Sequence, residues 1–244
     1  MDHLSRLSLA LAALVAALAL ATPAVAAGAV AEYQVQYSPV GTTGNSQMIV
    51  NVILSDDTPL PAVVEVPIPA GAQVLWAGEI LGGDPALDPA RETSVTPVTG
   101  GQLVTFTLSE VRIAQVEADL ARASIDGSRV SATMAWTNTA EPAPVLASIR
   151  LPADAGDVTI QPRPIGEPQF NDVGESLYTL PVRQMANGDV YEATVTYRTG
   201  IASERGDSSV LLVVVGVLLV LAVVTLVVLV GRDRSRRARS GLDG

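Results

Sequence analysis

Hydrophobic and polar residues alternate along most of this chain with a period of two, the mark of strands with one buried face. The cleanest stretch is AEYQVQY, residues 31–37, with Ala31, Tyr33, Val35 and Tyr37 on one side and Glu32, Gln34 and Gln36 on the other. The same reading gives strands at 48–54, 62–66, 74–77 and 103–109, and again at 129–138, 145–151, 157–161, 176–182 and 190–198. In 129–138 the residues Val130, Ala132, Met134 and Trp136 share a side, which makes Trp136 a central core tryptophan, and Trp76 is expected to do the same earlier in the chain. The spacers SDDTPLP, IPAGA, TGG and ANGD supply turn chemistry. Many short strands at this spacing predict an all-β fold of sandwich type.

One segment has two readings. Residues 109–123 carry Ile113, Val116 and Leu120 at helical spacing, and periodicity alone makes them a helix. An internal comparison opposes this. Residues 46–85 align with 128–168, placing Ser46 on Ser128 and Pro69-Ala70 on Pro152-Ala153. Further matches set 100–108 over 187–195 and 33–36 over 114–117. On that alignment 113–118 is a strand, and this side is taken. The alignment reads as an internal duplication of immunoglobulin-like β-sandwich units, at 28–110 and 111–200. The alternative is two unrelated β segments that share proline-rich turns.

The two ends break the alternation. Val210 to Val230 is an uncharged run of 21 residues, which as a helix is about 31 Å long, the thickness of a bilayer's hydrocarbon core. Arg232, Arg234, Arg236, Arg237 and Arg239 follow it, against Asp233 and Asp243, and so mark a cytoplasmic end. The tail (231–244) has no aromatic residue to read nucleic acid. No sorting motif precedes the run, so the span is expected to be retained, and no Gly-x-x-x-Gly pair marks it for dimerisation. At the other end, Leu7 to Ala21 is apolar after Arg6, and Ala24-Val25-Ala26 is a small-x-small cleavage pattern. Residues 1–27 are therefore read as a signal peptide and 201–209 as a stalk. The expected location is the cell membrane, single-pass, with the β region outside.

Composition narrows the chemistry. Residues 28–208 hold 22 acidic side chains and nine arginines, a balance that argues against nucleic acid as a partner. The chain has no cysteine, so an outside-facing domain is held by core packing alone. Its one histidine is His3, and lysine is absent. Ser-His-Asp and Cys-His nucleophiles, Schiff bases and the usual zinc, copper and haem ligand sets are thereby excluded from the β region. The expectation is a non-enzymatic module without a cofactor that meets a protein partner at the surface or organises an envelope assembly.

Two loops carry candidate sites. Residues 81–92 place Asp84, Asp88 and Glu92 in a turn-rich stretch, oxygen donors of the kind Ca²⁺ takes, although the spacing matches no EF-hand and the two prolines favour ordinary turn formation. Residues 165–175 place Phe170, Asn171 and Asp172 at a polar tip, where an apolar ring marks a protein contact or equally folds back over the sandwich edge. A Ca²⁺- or glycan-binding ectodomain using these two acidic loops is the alternative function.

Overall fold

The computed structural model describes residues 26–200. The leader up to residue 25, the stalk, the hydrophobic run and the arginine tail lie outside the described residues. In the described region no helix is long and apolar enough to cross a membrane.

The first half of the chain forms β1 (Ala26–Ala27), β2 (Val30–Ser38), β3 (Gln47–Leu54), β4 (Ala62–Ile68), β5 (Gln73–Glu79), β6 (Ser94–Val98), β7 (Gly101–Leu108) and β8 (Ile113–Asp119). The second forms β9 (Ser124–Asp126), β10 (Arg129–Thr137), β11 (Ala143–Leu151), β12 (Gly156–Gln161), β13 (Gln169–Phe170), β14 (Ser176–Thr179), β15 (Arg183–Met185) and β16 (Val190–Arg198). The helical content of the described residues is one 3₁₀ turn at Pro85–Leu87. The fold is all-β, as the alternation dictates.

The strands make three sheets. One small sheet runs β1-β4-β7-β6 and another β12-β16-β10-β9. The large sheet has eight strands, in the order β13-β14-β11-β2-β3-β8-β5, with β15 also pairing to β11. Its centre joins the two halves of the chain, because β2 and β11 pair in parallel with Tyr33 opposite Val145 and Tyr37 opposite Ile149. The halves are fused through this sheet rather than strung in tandem.

Register gives the large sheet one apolar face. Ala147, Val35, Val50, Val116 and Ala77 lie in one row across five strands, and Val145, Tyr33, Val52 and Ala114 in the next. All nine are buried in one continuous core. Where the small sheets meet over this face, Trp136 of β10 packs against Tyr33 of β2 in a tilted pair, with ring centroids 5.3 Å apart and planes at 56°. Its indole Nε1 donates to the Pro67 carbonyl of β4 at 2.8 Å. Trp136 is fully buried, as its strand pattern predicts.

Residues 113–119 form a strand. The apparent helical spacing of Ile113, Val116 and Leu120 is incidental, since Ala114, Val116 and Ala118 face the core and Gln115 and Glu117 the other way. This strand lies between β3 and β5 in the large sheet. The strand pairing does repeat along the chain. Val50, Val116 and Ala77 are aligned across β3-β8-β5, just as Ala132, Val195 and Ile160 are across β10-β16-β12. That agrees with laying 46–85 on 128–168. It disagrees with laying 100–108 on 187–195, because β16 occupies the place of β8, not β7.

Free sheet edges invite pairing with other chains, and here they are short or interrupted. β6 carries Pro97, β12 has a register shift beside Asp157 at φ 51°, and β13 has two residues. β5 is bulged at Leu75 and bridged by Ala90 at Gly78.

Burial shifts the tyrosines. Tyr33, Tyr37, Tyr191 and Tyr197 all have phenols raised above their ordinary range, chiefly by loss of water. Tyr197, which also feels the Asp154 carboxylate, is pushed up to about 12. A phenol whose folded value is raised stabilises the fold fully below its unfolded value near 10 and loses that contribution as pH rises through the folded value. Tyrosinate absorbance during an alkaline titration should therefore lag that of the urea-unfolded chain, and its late rise should coincide with unfolding. Superposed folded and unfolded titration curves would contradict this burial.

Candidate binding face

The acidic loop 81–92 is built by its own carboxylates. Asp84 accepts the Ala86 N–H at 3.0 Å and caps the 3₁₀ turn, while Asp88 accepts the Leu81 N–H at 2.8 Å and closes the loop. Glu92 is exposed on the strand side, beside a shallow depression of about 530 Å³ rich in threonine and serine hydroxyls. Asp84, Asp88 and Glu92 do not converge. Among the described residues no group of three or more His, Cys, Asp or Glu side chains is placed to hold a metal ion.

The residue that organises this corner is one the sequence reading passed over. Glu79, at the end of β5, is fully buried and accepts the N–H groups of Ser109, Glu110 and Val111, each at 2.8 Å. Arg91 Nε adds a fourth bond at 2.7 Å, and Arg91 also pairs with Glu110 at 3.0 Å. Burial alone raises the Glu79 carboxyl, but the three backbone donors and the guanidinium outweigh it and hold the pKa below 4.5. The carboxylate thus ties the β7–β8 turn to the segment entering β6. With its donors all internal, it is a structural pin and not a ligand site.

Loop 165–175 is also ordered from within. Asn171 Nδ2 donates to Glu175 Oε2 at 2.8 Å, and Asn171 Oδ1 accepts the Glu175 N–H at 2.9 Å. Asp172 is exposed, and Phe170 is 53% exposed. The ring borders a cleft of about 240 Å³ together with Gln36, Arg150, Gln169, Leu177 and Asn171. Gln36 and Arg150 belong to the face of the large sheet that turns away from the core, so the loop and that face form one continuous surface.

This outward face is lined by amides. Gln34, Asn51 and Gln115 stand side by side on β2, β3 and β8. The outer two turn their Nε2 groups away from Asn51, Gln34 to Glu32 at 2.7 Å and Gln115 to Glu117 at 2.9 Å. Asn51 Oδ1, shielded between them, meets no protein donor. Beyond Glu117, on β5, lies Trp76.

Trp76 corrects an expectation, since it is half-buried on the outward face and not in the core. The bulge at Leu75 is the cause. Val74 pairs with Ala118 on the core side, but Trp76 pairs with Glu117 on the other, one residue out of phase. The indole leans over Gly78, where a side chain's Cβ would come within 2.7 Å of its Cζ2.

No family model matches the chain, and no curated protein matches it. Among solved structures it is similar to native leukotriene A4 hydrolase from Saccharomyces cerevisiae, at 10% identity and a TM-score of 0.39. That similarity covers 69% of this chain and 29% of the hydrolase chain. The hydrolase is an enzyme, and the expectation of a chain without enzymatic activity is not carried forward. A TM-score of 0.39 carries no argument for any particular chemistry.

Proposed function

We propose that this chain is a single-span surface protein whose β region, two fused immunoglobulin-like halves, acts outside the membrane by binding another component of the cell envelope. The observation that carries the reading is the outward face of the large sheet. Its central amides, Gln34, Asn51 and Gln115, are half-buried, and Trp76 and Phe170 flank them. A sheet face of this breadth, with amides interleaved among Leu146, Ile49, Ile53 and Ile113, is available to a partner, and the blunted edges leave the face rather than the rim to receive it. The sequence beyond residue 200 supports the tether, through its apolar run and its arginines.

The absence of cysteine makes the test direct, since an introduced thiol is the only one in the chain. In intact cells, the Ser148→Cys variant should react with a membrane-impermeant maleimide, whereas Ser240→Cys should react only after permeabilisation. A photoreactive maleimide at position 148 should capture an adduct that the same probe at Thr194→Cys, on the outer face of the β10-β16 sheet, does not. Equal labelling at positions 148 and 240 in intact cells would refute the topology. Equal adducts at 148 and 194, or none, would refute the binding face.

A further inference from the structure

Resting on that reading, we propose that the component bound on the outward face is an extended, neutral, β-linked polysaccharide. The face offers what a run of sugar hydroxyls needs. Each amide presents two N–H donors and a carbonyl acceptor, and each carboxylate accepts from hydroxyls, which themselves donate and accept. Gln34, Asn51 and Gln115 supply the amides in one row, and Glu32 and Glu117 supply the carboxylates beside them. Asn51 Oδ1, at the centre of that row, is shielded and meets no protein donor, so the groups open to a ligand are the flanking amides and carboxylates of Gln34, Gln115, Glu32 and Glu117.

The apolar C–H face of a pyranose needs a flat ring to rest on, and Trp76 is placed for it. Its indole lies beside Glu117, at one end of the row and over a glycine that cannot lift it away. At the opposite side of the sheet, the cleft lined by Gln36, Gln169 and Phe170 repeats the pairing of amide with aromatic ring. From β13 to β5 the sheet crosses six strand intervals, about 29 Å at the usual spacing, which suits a chain of sugars and not a single one. Equatorial β linkages give a ribbon that lies along such a surface.

Two competing ligands fit less well. A protein interface has a contiguous apolar or aromatic centre with a polar rim, whereas here the amide row separates Ile49 from Ile53 and Ile113, Leu146 stands beside Gln34, and the aromatic rings are at the margins. An anionic polymer would face an ectodomain with 22 acidic residues against nine arginines.

The test uses the full chain in detergent micelles with suspensions of cellulose and chitin, and alginate beads as the anionic control. The protein should sediment with at least one neutral polymer and not with alginate. Trp76→Ala should weaken that binding about tenfold, as truncating an aromatic anchor does, and Gln115→Ala should weaken it measurably, both without moving the melting midpoint. No retention on either neutral polymer, or equal retention of Trp76→Ala, would overturn the inference. If the probe at position 148 captures polypeptide and no sugar, the polysaccharide is refuted while the binding face stands. If it captures neither, both fall.

Discussion

Replacing Glu79 with alanine should cost the fold about 3–5 kcal/mol, the usual consequence of removing one partner from a buried charged pair. Three backbone N–H groups, of Ser109, Glu110 and Val111, would lose their acceptor at once, and Arg91 would keep only Glu110. Against the 5–15 kcal/mol of a typical domain, this is a large fraction. Glu79→Gln should lose much of the same stability, because its amide turns an N–H toward backbone donors. The pH dependence has a definite sign. The folded carboxyl titrates below 4.5, so its contribution is fully present above that pH and disappears as the pH falls through the folded value. Urea midpoints of the full chain in detergent, measured between neutral and acid pH, should fall for the wild type, while Glu79→Ala should lack that component. Unchanged midpoints at neutral pH would show that the carboxylate holds nothing.

The second large effect belongs to Trp136. Truncation to alanine removes a fully buried indole, the ring contact with Tyr33 and the bond to the Pro67 carbonyl, for about 3–5 kcal/mol. For a domain of this size each kcal/mol moves Tm by roughly 2–4 °C, so a fall of about 10 °C is expected. Trp136→Phe keeps most of the packing but orphans the carbonyl, and should cost about 1–3 kcal/mol. Since Tyr33, Trp136 and Pro67 lie on three different sheets, one cooperative transition should move as a whole. A melt that splits into two steps would mean that the halves fold independently.

The two predictions mark opposite ends of what could be read in advance. Trp136 sits in an unbroken alternation with Val130, Ala132 and Met134, so its burial follows from the period of the strand. Glu79 follows the same period from Ala77, yet an acid on the core side looks like an error in the pattern until its donors are known. Those donors come from residues 30 to 32 positions further along the chain, a distance no local pattern reports. The loop carboxylates show the converse. Asp84 and Asp88 looked like a ligand set because they are close in sequence, but each is consumed by a backbone N–H of its own loop.

The chain's own order of residues thus determined that the fold is all-β, where its longer strands run and which side of most of them is apolar, because side-chain direction alternates with the backbone and burial follows it. Tertiary structure alone decided the rest. It set β2 beside β11 and so made one broad sheet from two halves, and it assigned both small sheets to the same side, leaving the amide row of Gln34, Asn51 and Gln115 on the other. A single bulge at Leu75 then turned Trp76 out onto that row. The physical reason is common to all three. Pairing between distant strands and a one-residue slip in register are settled by the packing of the whole core, and a slip of one residue carries every following side chain to the other face.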